Sequence, residues 1–209
     1  MKISVSYLSS KNIIEDLRKL NVTDTDYIHV DVMDGKFVKN KTLSFSELKE
    51  IHRYTNKRLD VHLMVKKPWK YIDDYATLNT EYITFHVETK NVEKTLDLID
   101  SYSIKKGLSI KPETDLDELD PYLENIDLIL LMSVNPGKGG QTFMDETIYR
   151  IKELKKKLKE HNSHALISVD GGINEEVAKK LGNADILVSG SYVINSENYE
   201  ETINKLRRK

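Results

Sequence analysis

The feature that most narrows the fold is a recurrence. Eight short runs rich in Val, Ile and Leu are spread along the chain, at 3–8, 27–33, 58–65, 82–88, 106–110, 128–134, 165–170 and 186–192. Runs of this length suit strands. The segments between them carry a helical period instead. In 143–159, Ile148, Ile151, Leu154 and Leu158 fall on one face, and in 91–102 Val92, Leu96 and Ile99 do the same. Alternating strand and helix implies parallel strands joined by helical crossovers. An open doubly wound sheet and a closed barrel both satisfy that alternation. Eight units at fairly regular spacing favour the closed (β/α)8 TIM barrel, as one domain over residues 1–209. The length of 209 residues fits a small barrel of this kind.

Composition serves mainly to exclude. A formal net charge of -2 gives no reason to expect nucleic acid or an anionic membrane as partner. Absence of cysteine removes disulfides and thiolate metal sites, and fits a reducing compartment. Met1–Leu8 is apolar only in alternation, and charge returns at Lys11, so the segment reads as a strand and not as a secretory leader. No apolar run approaches the roughly 18 to 20 residues that span a bilayer. The expected location is the cytoplasm. The basic end at 205–209 reads as a solvated helix terminus, favourable to the helix dipole.

The polar residues inside the apolar runs carry the functional information. A strand buried on both faces is nearly continuous in apolar residues. Several of these runs are interrupted toward their C-terminal ends: by Ser6, by His29 and Asp31, by His62, by His86 and Glu88, by Asp170, and by Ser189 and Ser191. Residues two apart on a strand share a face, so His29 faces the way Asp31 does, and His86 the way Glu88 does. Barrel enzymes build their sites at the C-terminal rim of the strands.

Two imidazoles and two carboxylates, His29, His62, Asp31 and Asp170, are a plausible ligand set for zinc, iron(II), manganese or cobalt. Taken singly, each has a plainer reading. A lone strand His is commonly a hydrogen-bonded core residue, and a lone Asp after a strand is commonly a cap or turn residue. Four such groups at strand ends of one repeating architecture strengthen the metal reading, because buried unpaired they would be costly and a divalent cation relieves that cost. Asp60 reads as structural, one layer below His62. Asp34-Gly35 reads as the turn after the second strand. His52, His161 and His164 read as surface residues. The stretch 135–141 fails the P-loop pattern, since Lys138 is followed by glycine and position 132 is Met.

An ordered set of motifs resembles one family. YIHVDVMDGKFVKN at 27–40, DVHLMV at 60–65, ITFHVE at 83–88, LMSVNPGKGGQTF at 131–143, VDGGIN at 169–174 and VSGSYV at 188–193 are similar to the signatures of ribulose-phosphate 3-epimerases. They run in order over essentially the whole chain. The resemblance implies that His29, Asp31, His62 and Asp170 hold one divalent metal ion, and that Asp31 and Asp170 are also the acid/base pair. It implies that Ser6 contacts substrate and that Met33, Met64 and Met132 pack around the reacting carbons. It further implies that Gly139, Gly140, Gly171, Gly172, Gly190 and Ser191 hold the phosphate of a small sugar-phosphate substrate. The activity implied is two-base epimerisation at C3 of a ketose phosphate through an enediolate, with D-ribulose 5-phosphate as first substrate. D-Allulose 6-phosphate and a non-catalytic phosphosugar-binding role are the alternatives. A homo-oligomer is implied as well.

The chain departs from the family pattern at Val5, Lys39, Lys138 and Ser168, where the family usually has proline, proline, an aromatic or hydrophobic residue, and glutamate. Lys138 reads either as a Coulombic aid to phosphate binding or as a solvated side chain. His86 and Glu88 read either as residues that orient ligands or substrate or as a structural pair inside the barrel.

Overall fold

The computed structural model describes residues 1–207; Arg208 and Lys209, part of the basic end, lie outside the described residues. Eight strands run in order: β1 (Lys2–Ser6), β2 (Tyr27–Met33), β3 (Arg58–Met64), β4 (Thr80–His86), β5 (Lys105–Ile110), β6 (Leu128–Met132), β7 (Leu166–Asp170) and β8 (Ile186–Ser189). Each pairs in parallel with the next, and β8 pairs with β1, which closes the barrel. The helices are α1 (Ile13–Asn21), α2 (Phe45–Ile51), α3 (Ile72–Ala76), α4 (Val92–Asp100), α5 (Glu146–Glu160), α6 (Glu175–Lys180), α7 (Ser191–Ile194) and α8 (Tyr199–Arg207). Between β5 and β6 the crossover is a 3-10 segment, Leu116–Tyr122, which carries Pro121.

Alternation along the strands sorts the side chains into two cores. Outward residues such as Ile3, Val30, Val61, Phe85 and Ile129 meet the helices in one continuous apolar annulus. The helices supply their matching stripes. In α5, Ile151, Leu154 and Leu158 turn inward, each buried Leu or Ile contributing about 1.5 to 3 kcal/mol. Asn174 fixes the start of α6, its side-chain oxygen accepting from the Val177 N–H at 3.0 Å.

Inside the barrel the residues form layers. The floor, at the N-terminal ends of the strands, is filled by Tyr27, Tyr82, Leu128 and Ile186 with Leu166 packed against them. The two tyrosine rings meet edge to face at 5.6 Å, and Lys2 Nζ donates to Tyr27 Oη at 2.7 Å. Above the floor comes a polar layer with Ser4, Asp60 and Ser168, all buried. The rim above that layer holds the candidate site.

Several strands are shorter than the runs that signal them. Leu8, Val134 and Tyr192 lie past the strand ends, and Tyr192 belongs to α7. His52 corrects the surface reading. It sits in a 3-10 turn (His52–Tyr54), is buried, and its Nε2 lies 3.1 Å from Tyr7 Oη. Burial holds this imidazole down at about 4. His164 is exposed and His161 half-buried, 3.9 Å from Asp120.

Candidate active site

Strand register assembles the site. On β2 and β3, Asp31 stands opposite His62, and His29 opposite Asp60. Asp170 comes from β7, the last residue before the turn that begins at Gly171. The ligand atoms of His29, Asp31, His62 and Asp170 all lie within 4.8 Å of one another. Asp31 Oδ1 is 3.6 Å from His29 Nε2 and 3.4 Å from His62 Nδ1, and Asp170 Oδ2 is 4.0 Å from His29 Nε2.

The outer atoms of both imidazoles are tied down. His29 Nδ1 bonds Asp60 Oδ2 at 2.8 Å, and that oxygen also accepts from Ser4 Oγ at 2.8 Å. His62 Nε2 lies 3.0 Å from His86 Nε2. The inner atoms, His29 Nε2 and His62 Nδ1, are buried without a hydrogen-bond partner among the described residues. Buried polar atoms rarely go unsatisfied. Two orphaned imidazole nitrogens facing two carboxylates fit a divalent cation of the zinc, iron(II), manganese or cobalt type.

The two carboxylates differ in proton affinity. Burial pushes Asp170 up to about 6; the His29 imidazole opposes that rise and the Asp31 carboxylate adds to it. Burial acts on Asp31 in the same direction, but the His29 and His62 imidazoles beside it overcome that and hold it well below the usual carboxylate range. Ser6 Oγ donates to Asp31 Oδ2 at 2.8 Å. Burial disfavours a charge on His29, yet the Asp60 and Asp31 carboxylates outweigh it and raise that imidazole well above its ordinary value. Burial lowers His86 to about 4 against the pull of Glu88. Glu88 would rise on burial, but the bond from His86 and the Lys111 backbone N–H bring it to about 2.

Asp31 and Asp170 face an open cavity at the C-terminal rim of the barrel. Its dry wall is Met33, Met64 and Met132, all buried. Ser6 lines it beside Asp31. The opposite wall is built from turns: Gly171 and Gly172 after β7, Gly190 and Ser191 after β8, and Gly139 and Gly140 in the loop after β6. At two of these positions only glycine fits. A Cβ on Gly171 (φ +117) would stand 2.5 Å from Val134 Cγ2, and one on Gly172 (φ +64) would stand 2.4 Å from the Phe143 backbone nitrogen. Ser133 Oγ shares its proton between the Asp170 and Gly171 carbonyls at 2.7 and 2.6 Å, pinning the turn. The 135–141 loop is clamped by Gln141 Nε2, which donates to the carbonyls of Asn135 and Lys138 at 2.8 and 2.7 Å. Asn40 Nδ2 anchors it to the neighbouring loop through the Gly137 carbonyl at 2.7 Å. Lys138 is exposed and lines the cavity.

Two residues matter more than the sequence reading allowed. Asp60 is not merely structural, since it orients His29. The sequence signal was its shared face with His62; its place opposite His29 comes from the pairing of β2 with β3. Ser133, inside the 131–143 motif, holds the backbone of Asp170. Asp34 does form the turn after β2, its Oδ1 accepting from the N–H groups of Lys36 and Phe37 at 2.8 and 2.9 Å.

A closed parallel barrel with paired carboxylates and imidazoles at its C-terminal rim, set beside glycine turns, defines a (β/α)8-barrel enzyme. Comparison with known proteins narrows the class. The family model described as "Ribulose-phosphate 3 epimerase family" matches residues 2–194. The ribulose-phosphate 3-epimerase of Helicobacter pylori (strain J99) is 36% identical, covering 99% of this chain and 97% of its own. That of Buchnera aphidicola subsp. Schizaphis graminum is 39% identical, covering 93% and 87%. Among solved structures, 3-hexulose-6-phosphate synthase from Salmonella typhimurium superposes with a TM-score of 0.68 at 18% identity, over 99% of this chain and 96% of that one. KGPDC from Streptococcus mutans gives 0.72 at 11% identity, over 99% and 95%. These distant structures bear on the fold alone. The chain belongs to the ribulose-phosphate 3-epimerase family.

Proposed function

We propose that the chain interconverts D-ribulose 5-phosphate and D-xylulose 5-phosphate by epimerisation at C3. The observation that carries the reading is the convergence of Asp31 and Asp170 on one methionine-walled cavity flanked by glycine turns. The names of the 36–39% identical relatives support the substrate.

Inversion next to a ketone requires a base on one face of C3 and an acid on the other. One aspartate takes the C3 proton, the electron pair moves toward the C2 carbonyl, and the other aspartate returns a proton to the opposite face. Their unequal proton affinities suit that division, one ionised and one protonated, and reversal of direction exchanges the roles. His29, Asp31, His62 and Asp170 would hold a divalent ion, which when bound supplies Lewis-acid stabilisation of the oxygen that gains charge. Ser6 steadies Asp31 through its hydrogen bond. The methionines keep a polarizable, water-poor wall against the reacting carbons. The backbone of Gly139, Gly140, Gly171, Gly172 and Gly190, with Ser191, supplies the phosphate site expected after the last strands of such a barrel.

The test is proton NMR of D-ribulose 5-phosphate in deuterium oxide with metal-loaded protein. Loss of the C3 proton signal with appearance of D-xylulose 5-phosphate is expected at a turnover of about 1 to 1000 per second. Asp31→Asn and Asp170→Asn should each lose that turnover, with metal content measured in each variant. An active D170N that retains metal would remove the two-base assignment. Turnover of D-allulose 6-phosphate with none of the pentulose would move the substrate to the longer ketose.

A further inference from the structure

The bonds behind His62 form a chain whose polarity can be read from its far end. Glu88 Oε1 accepts from the Lys111 backbone N–H at 2.9 Å and from Thr114 Oγ1 at 2.7 Å. A backbone N–H can only donate, so Glu88 serves as acceptor. Its other oxygen, Oε2, lies 3.0 Å from His86 Nδ1, and a carboxylate there requires the proton on His86 Nδ1. A neutral His86 then has a lone pair on Nε2, which faces His62 Nε2 at 3.0 Å. Two nitrogens at that distance share one proton, so His62 Nε2 must donate. That leaves His62 Nδ1 with its lone pair bare, and Nδ1 is the orphaned atom that faces Asp31.

The chain is held mechanically as well. His62 and His86 are fully buried with ring centroids 5.0 Å apart, and the Phe37 ring covers His86 at 4.7 Å. Arg150 Nη2 donates to the carbonyls of Lys111 and Thr114 at 3.3 and 2.8 Å, fixing the loop that holds Glu88.

We propose that His86 and Glu88 are positioning residues that lock His62 in the tautomer with Nδ1 free for a divalent cation. This rests on the reading of His62 as a metal ligand in the proposed function. His29 is oriented by a carboxylate directly, through Asp60; His62 is oriented by a carboxylate one imidazole removed. Such outer partners typically change metal affinity by roughly 10- to 100-fold when lost.

Long-range proton–nitrogen correlation spectra of the zinc-loaded protein test the lock directly. His62 is expected to bind zinc through Nδ1 and carry its proton on Nε2, and His86 to carry its proton on Nδ1. Zinc affinity, measured by competition with a chromogenic chelator, should fall roughly 10- to 100-fold in His86→Leu. His86→Gln should recover most of it, because its amide oxygen can accept from His62 while its NH2 donates to Glu88. A His62 bound through Nε2 overturns the proposal, and so does a His86→Gln variant no tighter than His86→Leu. Should His86→Leu fail to fold, the wild-type spectrum and His86→Gln still decide. Wild-type protein with the expected tautomers but no C3 exchange leaves the lock standing and removes the proposed substrate chemistry. Turnover with the proton on His62 Nδ1 does the reverse.

Discussion

At the scale of single residues, His52 shows how a group outside the site can set a property of the whole protein. Its imidazole is buried under Tyr7 and held at about 4, against an ordinary value of 6.5. The folded chain therefore binds fewer protons at His52 than the unfolded chain does between those two values. Its contribution is fully present above about pH 6.5 and is lost as pH falls through the interval toward 4, by up to about 3 kcal/mol. In metal-free protein, wild type should lose more stability between pH 7 and pH 4.5 than His52→Gln, as read by denaturant unfolding at each pH. Equal losses would show that another group governs the acid limb. His52 also marks where a sequence reading stops. Its polarity and its place after a helix suggest solvent, whereas the fact that decides its burial is Tyr7, 45 positions away. Asp60 is similar, since parity put it inside the barrel but only the pairing of β2 with β3 gives it His29. His29, Asp31, His62 and Asp170 were legible because a polar residue at the end of an apolar run is conspicuous on its own.

At the scale of elements, periodicity carried most of the information. All eight strands lie within or beside the runs that signal them, since β-branched and aliphatic residues must be buried on both faces here. Their ends were less visible. β8 stops at Ser189 because the chain turns at Gly190 into α7, although the apolar residues continue through Tyr192 and Val193. Thr80 and Glu81 pair into β4 despite their polarity, Glu81 being buried between the Arg58 and Lys105 side chains. Helix α5 gives a direct check on the annular core. Leu154 is wholly buried, whereas Tyr149 is 70% exposed on the same helix. Leu154→Ala should cost about 2 to 5 kcal/mol, and Tyr149→Ala should stay within about 0.5 kcal/mol, both by chemical denaturation. A Leu154→Ala variant of near wild-type stability would mean that α5 is not packed as a structural wall.

At the scale of the whole molecule, the order of the strands makes the site a property of the closed barrel. His29 and Asp31 come from β2, His62 from β3 and Asp170 from β7, so the constellation exists only once the sheet has closed on itself. No contiguous fragment contains it in less than most of the chain. The floor of the barrel has a separate consequence. Tyr27, Tyr82, Leu128, Leu166 and Ile186 stop the N-terminal end with packed side chains, so the cavity opens at the C-terminal rim, beside the 135–141 loop. Reactant and product would share this cavity, one molecule at a time. D-Xylulose 5-phosphate should thus inhibit turnover of D-ribulose 5-phosphate competitively, because both would occupy the one cavity; a mixed pattern in initial-rate kinetics would point to a second binding site or to a slow change of the free enzyme between turnovers. Flow through such a vessel has no built-in direction, and which epimer accumulates is left to whatever removes it outside.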